Sequence, residues 1–150
     1  MEESMFDVKI REACIRDVRS IKELSEQLGY FVTHEETRSY LNDLRQDNQH
    51  VIYVAEMNNE VVGWVHVSLY KTLVSEKRAN ISGLVVDRNS QRRGVGKELM
   101  RSAEEWAKNW GCHGVILRSN VIRQEAHLFY KGIGYGQTKS QYVFIKNFKP

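Results

Sequence analysis

Residues 85–100 read VVDRNSQRRGVGKELM, an apolar run followed by Gln91, Arg92, Arg93, Gly94, Val95, Gly96 and Lys97, then by the first apolar positions of a helix. A strand that ends in a glycine-containing turn and opens a helix directs several free backbone N–H groups, and the positive end of the helix dipole, at one point. Phosphate is the natural guest there. Two nucleotide loops are excluded by spacing: a GxGxxG fingerprint needs glycine where Leu99 stands, and a Walker loop needs glycine at Gln91 and a hydroxyl at Glu98. Alone, a Gly-x-Gly turn is more often a device for close packing than a ligand loop, so the flanking elements decide.

Those elements are legible in the periodicity. Val8 and Ile10 alternate with polar residues in DVKIREA, which predicts a first strand. Ile15, Val18, Ile21, Leu24 and Leu28 fall at helical spacing with Gly29 as a stop, and Thr33 with Glu36 forms a capping box for a second helix through Tyr40, Leu41 and Leu44. HVIYVAE and EVVGWVHVSLY flank Met-Asn-Asn, which is hairpin chemistry, and NISGLVV is a fourth strand running into the glycine stretch. Val95, Leu99, Ala103, Trp106 and Trp110 mark the apolar stripe of a long helix ending at Gly111, and both tryptophans read as core. GVILRSN then predicts a strand, RQEAHLFYKG a short helix closed by Gly132, and YGQTKSQYVFIKNF one or two final strands. The order βααβββαβαβ describes a mixed α/β sheet in a single domain, residues 1–150, with a parallel crossover through 81–119.

The 150 residues are 41% hydrophobic and 27% charged, enough for one core without covalent staples. Neither the two cysteines, Cys14 and Cys112, nor the five histidines show metal-ligand or paired spacing, so no disulfide framework and no metal site is expected. No stretch approaches the roughly 18 consecutive apolar residues of a membrane helix, and the acidic opening MEESMFDVKI has no leader-like segment; a soluble, cytoplasmic protein is expected, with no membrane partner. The 22 basic and 19 acidic residues are interspersed, leaving +3, which points away from nucleic acid.

In this setting, Gln91-x-x-Gly94-x-Gly96 after LVVD resembles the acetyl-CoA-binding motif of the GCN5-related N-acetyltransferase (GNAT) family. IREACIRDVRSIKEL is similar to that family's first strand and helix, and SNVIRQEAHLFYKGIGY to its last strand–helix segment, so the resemblance runs from about residue 8 to 145. It implies an α/β (α+β mixed sheet) fold of the GNAT-like acyl-CoA N-acyltransferase type. That fold has a central, mostly antiparallel sheet of six to seven strands with a parallel splayed pair, and four helices. Acetyl-CoA is the implied co-substrate. By the resemblance its pyrophosphate lies on the backbone amides of Arg92, Arg93, Gly94, Val95, Gly96 and Lys97, with Gln91 opening the loop and the glycines admitting close approach. Val85 and Val86 end the strand whose backbone pairs with the pantetheine arm, and Asn120 matches a contact to the pantetheine amides.

The implied reaction is direct attack of a primary amine on the thioester carbonyl with expulsion of the CoA thiolate. Tyr130 matches the family's general acid, and a tyrosine of ordinary pKa, about 10, keeps its proton at neutral pH. Backbone N–H near Val85 is the implied oxyanion donor. The fourth strand, ANISGLVV, offers only Asn80 and Ser82 where many members carry glutamate or histidine. The base is left open between a water relay, His66, and an amine that arrives partly deprotonated. Acceptor recognition in the family lies between the first two helices and in the last strands, here Tyr30, Phe31, His34 and Glu35 together with residues 137–142, while Glu36 is expected to serve its helix cap. A small-molecule amine is the expected acceptor. A protein N-terminus or lysine as acceptor, and a non-catalytic acyl-CoA-binding module, stand as alternatives; a homodimer is compatible with the family, and no residue fixes its interface.

Overall fold

The computed structural model describes residues 7–149; the rest of the acidic opening and the lone Pro150 lie outside the described residues. The chain divides between Arg118 and Ser119 into two compact units, and each is described by itself. The first is built on a sheet ordered β1-β2-β3-β4-β5, with β1 Lys9–Glu12, β2 His50–Met57, β3 Glu60–Tyr70, β4 Arg78–Val86 and β5 Gly114–Leu117. Successive pairs are antiparallel except β4 with β5, which are parallel and joined through the long helix α3, Val95–Asn109. A single 3-10 turn, Ile15–Asp17, leads into α1, Val18–Glu26, and α2 spans His34–Arg45.

Local chemistry sets the boundaries. Asn58 and Asn59 take positive φ, 52° and 65°, the two-residue turn that matches strand twist in a hairpin. Gly29, at φ +85°, ends α1 with its N–H donating to the Glu26 carbonyl. The capping box of α2 is formed: Thr33 Oγ1 accepts from the Glu36 amide at 3.0 Å, and the Thr33 amide donates to Glu36 Oε1 at 2.9 Å. The two faces of the sheet follow from alternation along β3. A β-carbon on Gly63 would meet Val95 and Leu99 of α3, whereas Trp64 packs with Val18, Ile21 and Leu41 of α1 and α2.

One ionic cluster ties the start of this unit together. Arg11 donates twice to Asp17, at 2.8 Å each, and once to Glu56 on the neighbouring strand; the Cys14 amide also donates to Asp17. Asp17 is only 3% exposed. Burial opposes its ionisation, yet the Arg11 and Cys14 hydrogen bonds outweigh that and hold the carboxyl below its ordinary value.

The second unit contains α4, Gln124–Gly132. Gly132 is the last residue of α4, where the sequence closes it, and the left-handed Gly134, at φ +101°, follows with its N–H donating to the Lys131 carbonyl. One expectation is corrected there. The final strands expected in YGQTKSQYVFIKNF are not formed among the described residues, so the sheet has five strands rather than six or seven. Tyr142, Phe144 and Phe148 carry β propensity but stand exposed, and propensity makes a strand only where a ladder partner receives the backbone. No helix among the described residues is long and apolar enough to cross a membrane.

A depressed carboxylate stabilises the fold above its unfolded pKa and loses that contribution as the pH falls through the folded value. Asp17→Ala, which takes one of two carboxylates from Arg11 and the acceptor from the Cys14 amide, is expected to cost about 3 kcal/mol in urea unfolding at neutral pH. The deficit should shrink as the pH is taken below about 4; a deficit that stays constant with pH would remove the ion pair as its cause.

Candidate functional site

The site begins where β4 loses a neighbour. β4 and β5 pair from Arg78↔Gly114 to Ile81↔Leu117, after which β5 ends and β4 continues through Val86. On its other edge β4 stays paired with β3 as far as Gly63↔Val86. Ser82 is a bulge, since His66 pairs with Gly83 and Val67 with Ile81. Val85 and Val86 therefore lie on a stretch with no strand beside it on the β5 side of this unit, and the Val85 side chain is buried.

Past the strand comes a 3-10 turn, Arg88–Ser90, then the exposed residues Gln91, Arg92, Arg93 and Gly94. Arg92 and Gly94 both take left-handed backbone, φ 65° and 82°. Gly94 is the N-cap of α3 and supplies no side-chain cap; the Glu98 N–H closes the first turn onto its carbonyl. The amides of Val95, Gly96 and Lys97 precede that bond and are the donors a helix start leaves without an internal partner. Among these residues the Val95 side chain belongs to the core, so only its N–H is available to a ligand.

Three further contacts bear on β4 and this loop, and the sequence reading singled out none of them. A β-carbon on Gly63 would lie 2.9 Å from the Val85 carbonyl oxygen and 3.1–3.2 Å from Leu99 and Val95, so the missing side chain is what lets the start of α3 seat on the sheet. A β-carbon on Gly83 would lie 2.7 Å from the Trp64 ring. Gln27, which ends α1, donates to Asp87 Oδ1 at 2.8 Å and accepts from the Arg88 amide at 2.9 Å, joining the α1–α2 connection to the loop. The isolated strand glycines were a signal that could have been read; Gln27 had none.

At the fork of β4 and β5 a polar cluster gathers from β3, β4 and the residue that follows β5. Arg118 Nη1 donates to Asn80 Oδ1 at 3.1 Å, Asn80 Nδ2 donates to Ser82 Oγ at 3.1 Å, and the Arg118 guanidinium carbon lies 5.4 Å from the Tyr70 ring centroid. His66 lies on β3 with its Nε2 2.9 Å from His50 Nδ1. Burial, helped by the neighbouring His50, pushes His66 down to about 4, so it is neutral at neutral pH and a poor proton acceptor. Among the described residues no group of three His, Cys, Asp or Glu is placed to hold a metal ion.

Tyr30 and Phe31, between α1 and α2, are exposed, as are His34 and Glu35 at the start of α2. Glu36 is committed to the cap, and its hydrogen bonds with Thr33 hold its carboxyl below the ordinary value. Glu35 lines an open cavity of about 310 Å³ with Ile15, Arg38, Ser39 and Asn42, to which Tyr30, Phe31 and His34 do not contribute. In the second unit, Asn120 Oδ1 accepts from the Ile122 amide, and its backbone carbonyl accepts from the His127 ring at 3.0 Å, which gives His127 a structural role. Tyr130 is half-buried between Phe129 and Tyr135, at centroid distances of 5.3 and 6.2 Å, and burial pushes its phenol up despite the opposing charge of Arg123.

The sequence profile described as Acetyltransferase (GNAT) family matches residues 18–135. N-acetyltransferase 8 of Homo sapiens is 30% identical over 110 residues, 73% of this chain and 47% of that protein. The chain thus spans about half the length of the curated relatives it matches. Among solved structures, glucosamine-6-phosphate N-acetyltransferase from Arabidopsis thaliana is 28% identical with a TM-score of 0.79, over 95% of this chain and 99% of that one. An aminoglycoside N-acetyltransferase in complex with CoA shares the fold at a TM-score of 0.86 and 17% identity, over 93% of this chain and 95% of that one.

Gly63→Ala tests whether the seat of α3 depends on close approach. The backbone oxygen of Val85 cannot rotate away, so the substitution is expected to destabilise by about 1–3 kcal/mol and to accelerate amide exchange in residues 91–97. Unchanged exchange in that segment would separate the loop from the packing beneath it.

Proposed function

The chain belongs to the GNAT acetyltransferase family, and we propose that it transfers an acetyl group directly from acetyl-CoA to a primary amine of a small molecule. The observation that carries the reading is the start of α3, uncapped by any side chain, at the end of a strand that has lost its neighbour. Such a start fits a pyrophosphate, whose oxygens need several converging donors. When bound, acetyl-CoA supplies an activated acetyl group. The amides of Arg92 through Lys97 hold the pyrophosphate, and Gln91 opens the loop. Val85 and Val86 offer the backbone edge that receives the pantetheine arm, and an amide near Val85 stabilises the developing oxyanion. Asn120 has its Oδ1 committed to the Ile122 amide, so its Nδ2 is the donor to a pantetheine carbonyl.

Tyr130 is the general acid for the leaving sulfur. Its raised pKa keeps the phenol protonated beyond the ordinary tyrosine range, as a proton donor at neutral pH requires. Tyr30, Phe31, His34 and Glu35 contribute to acceptor binding, and the unbonded Cys14 and Cys112 suit a reducing cytoplasm.

Thiol release from acetyl-CoA with a panel of amines tests the activity. Tyr130→Phe is expected to lower kcat about 100-fold with acetyl-CoA affinity retained, and in the parent enzyme any alkaline limb due to Tyr130 should lie above about 10. Full turnover by the variant would take Tyr130 out of its role. Arg92→Gly separates backbone from side chain: it relieves a left-handed arginine, which costs about 1 kcal/mol or more, and CoA affinity is expected to stay within about threefold, under 1 kcal/mol. A larger loss would assign the holding to the guanidinium.

A further inference from the structure

Arg118 stands where β4 and β5 part, and no acid among the described residues answers its charge. Its described partners are Asn80 Oδ1 at 3.1 Å, Tyr70 Oη at 3.5 Å and the Tyr70 ring, all neutral. No Asp or Glu among the described residues forms an ion pair with it, in contrast to Arg11, which holds two. A guanidinium carries five N–H donors in a rigid plane, and the two contacts here leave most of that set to a ligand. The side chain is nonetheless fixed: it stacks on Tyr70 and bonds an asparagine that Ser82 orients in turn.

Register supplies the second part of the argument. Asn80 pairs with Ser68, so Tyr70 and Asn80 project from one face, and Arg118, the residue after β5, meets both of them there. Trp64 projects from that same face toward α1 and α2, opposite the face covered by α3. The cluster thus occupies the end of the β4–β5 fork on the side away from α3.

We propose that Arg118, held by Tyr70 and Asn80, binds an oxyanion of the acceptor, a carboxylate or a phosphate, so that the preferred substrate is a primary amine carrying a negative charge. The proposal rests on the acetyl-transfer reading above and narrows its acceptor. A planar array of donors recognises two oxygens of such a group at once, which a lysine in the same place does not do.

Matched probes test it: ethanolamine against O-phosphoethanolamine, and β-alaninamide against β-alanine. They are assayed by thiol release and, independently of turnover, by calorimetric titration of the CoA-loaded protein. The wild-type protein is expected to favour the charged member of at least one pair by about tenfold or more, with the responding pair distinguishing phosphate from carboxylate. Arg118→Gln should abolish that preference by raising the acceptor KM while the acetyl-CoA KM holds, and Arg118→Lys should keep part of it. Tyr70→Phe, which retains the ring, should keep most of it; where Arg118→Gln does not fold, the partial loss expected of Arg118→Lys carries the test, and an undiminished preference in Arg118→Lys then overturns the proposal. No preference in the wild type, or a preference that survives Arg118→Gln, overturns the proposal. If acetyl transfer is absent altogether, that reading falls by itself; calorimetric binding of a charged probe that requires Arg118 still supports the anion site, and its absence overturns it.

Discussion

A strand that has a partner on only one side is the constraint from which the rest of this site follows. β4 is nine residues long and β5 four, or about 30 and 13 Å at roughly 3.3 Å per residue. They start level, at Arg78 and Gly114, so β5 must end less than halfway along β4. Chain connectivity enforces this geometry. α3 leaves the far end of β4 and returns to the level of its beginning, about 22 Å in 15 residues at 1.5 Å each, before β5 can start. The backbone groups left over on β4, and the donors left over at the start of α3, lie at adjacent points of the chain. Both sets are deficits of hydrogen bonding, and a ligand with an extended amide arm and a phosphate end satisfies both.

Holding such deficits in place requires rigidity elsewhere, and close to the loop it comes from small residues and from hydrogen bonds made by an uncharged side chain. Gly63 admits the start of α3 to within contact of β4, Gly83 leaves room for the Trp64 ring, and Gln27 bonds both the carboxylate of Asp87 and the amide beyond it. The ionic cluster of Arg11, Asp17 and Glu56 lies on the other side of the sheet order, at β1 and β2, where it fixes the entry to α1. Since α1 ends in Gln27, the loop is anchored at second hand by that cluster. Positions that bear on the loop thus extend well beyond the residues able to touch a ligand.

Much of this was legible in the sequence, because periodic elements and caps are local. The capping box at Thr33, the Asn58–Asn59 turn and the strand–loop–helix at 78–109 depend on residues within a few positions of one another. The last segment was misread for the complementary reason: YVFIKNF has the composition of a strand, but a strand is a relation between two segments, and composition names only one. The fork cluster was invisible for the same reason. Tyr70, Asn80 and Arg118 are brought together only by strand register, and no spacing along the chain announces it.

Asn80 links the two features of the fork that looked separate, an absent acid on β4 and, just past β5, an arginine with no acid partner among the described residues. An aspartate at this position would be nearly isosteric and, at the observed 3.1 Å from Arg118, would form an ion pair that cancels the guanidinium's charge. The amide keeps the hydrogen bond, and with it the orientation of Arg118, while leaving the positive charge for a ligand. The same exchange removes a carboxylate that could take a proton from an ammonium group, and His66, neutral and bonded to His50 on the same face, does not replace it. The exposed Ser82 and Arg118 leave the fork open to solvent, the proton acceptor that the proposed transfer would have on this face. Under the proposed transfer, a single amide in place of an acid exchanges a general base for an anion site, and binding geometry rather than proton abstraction is what this face contributes.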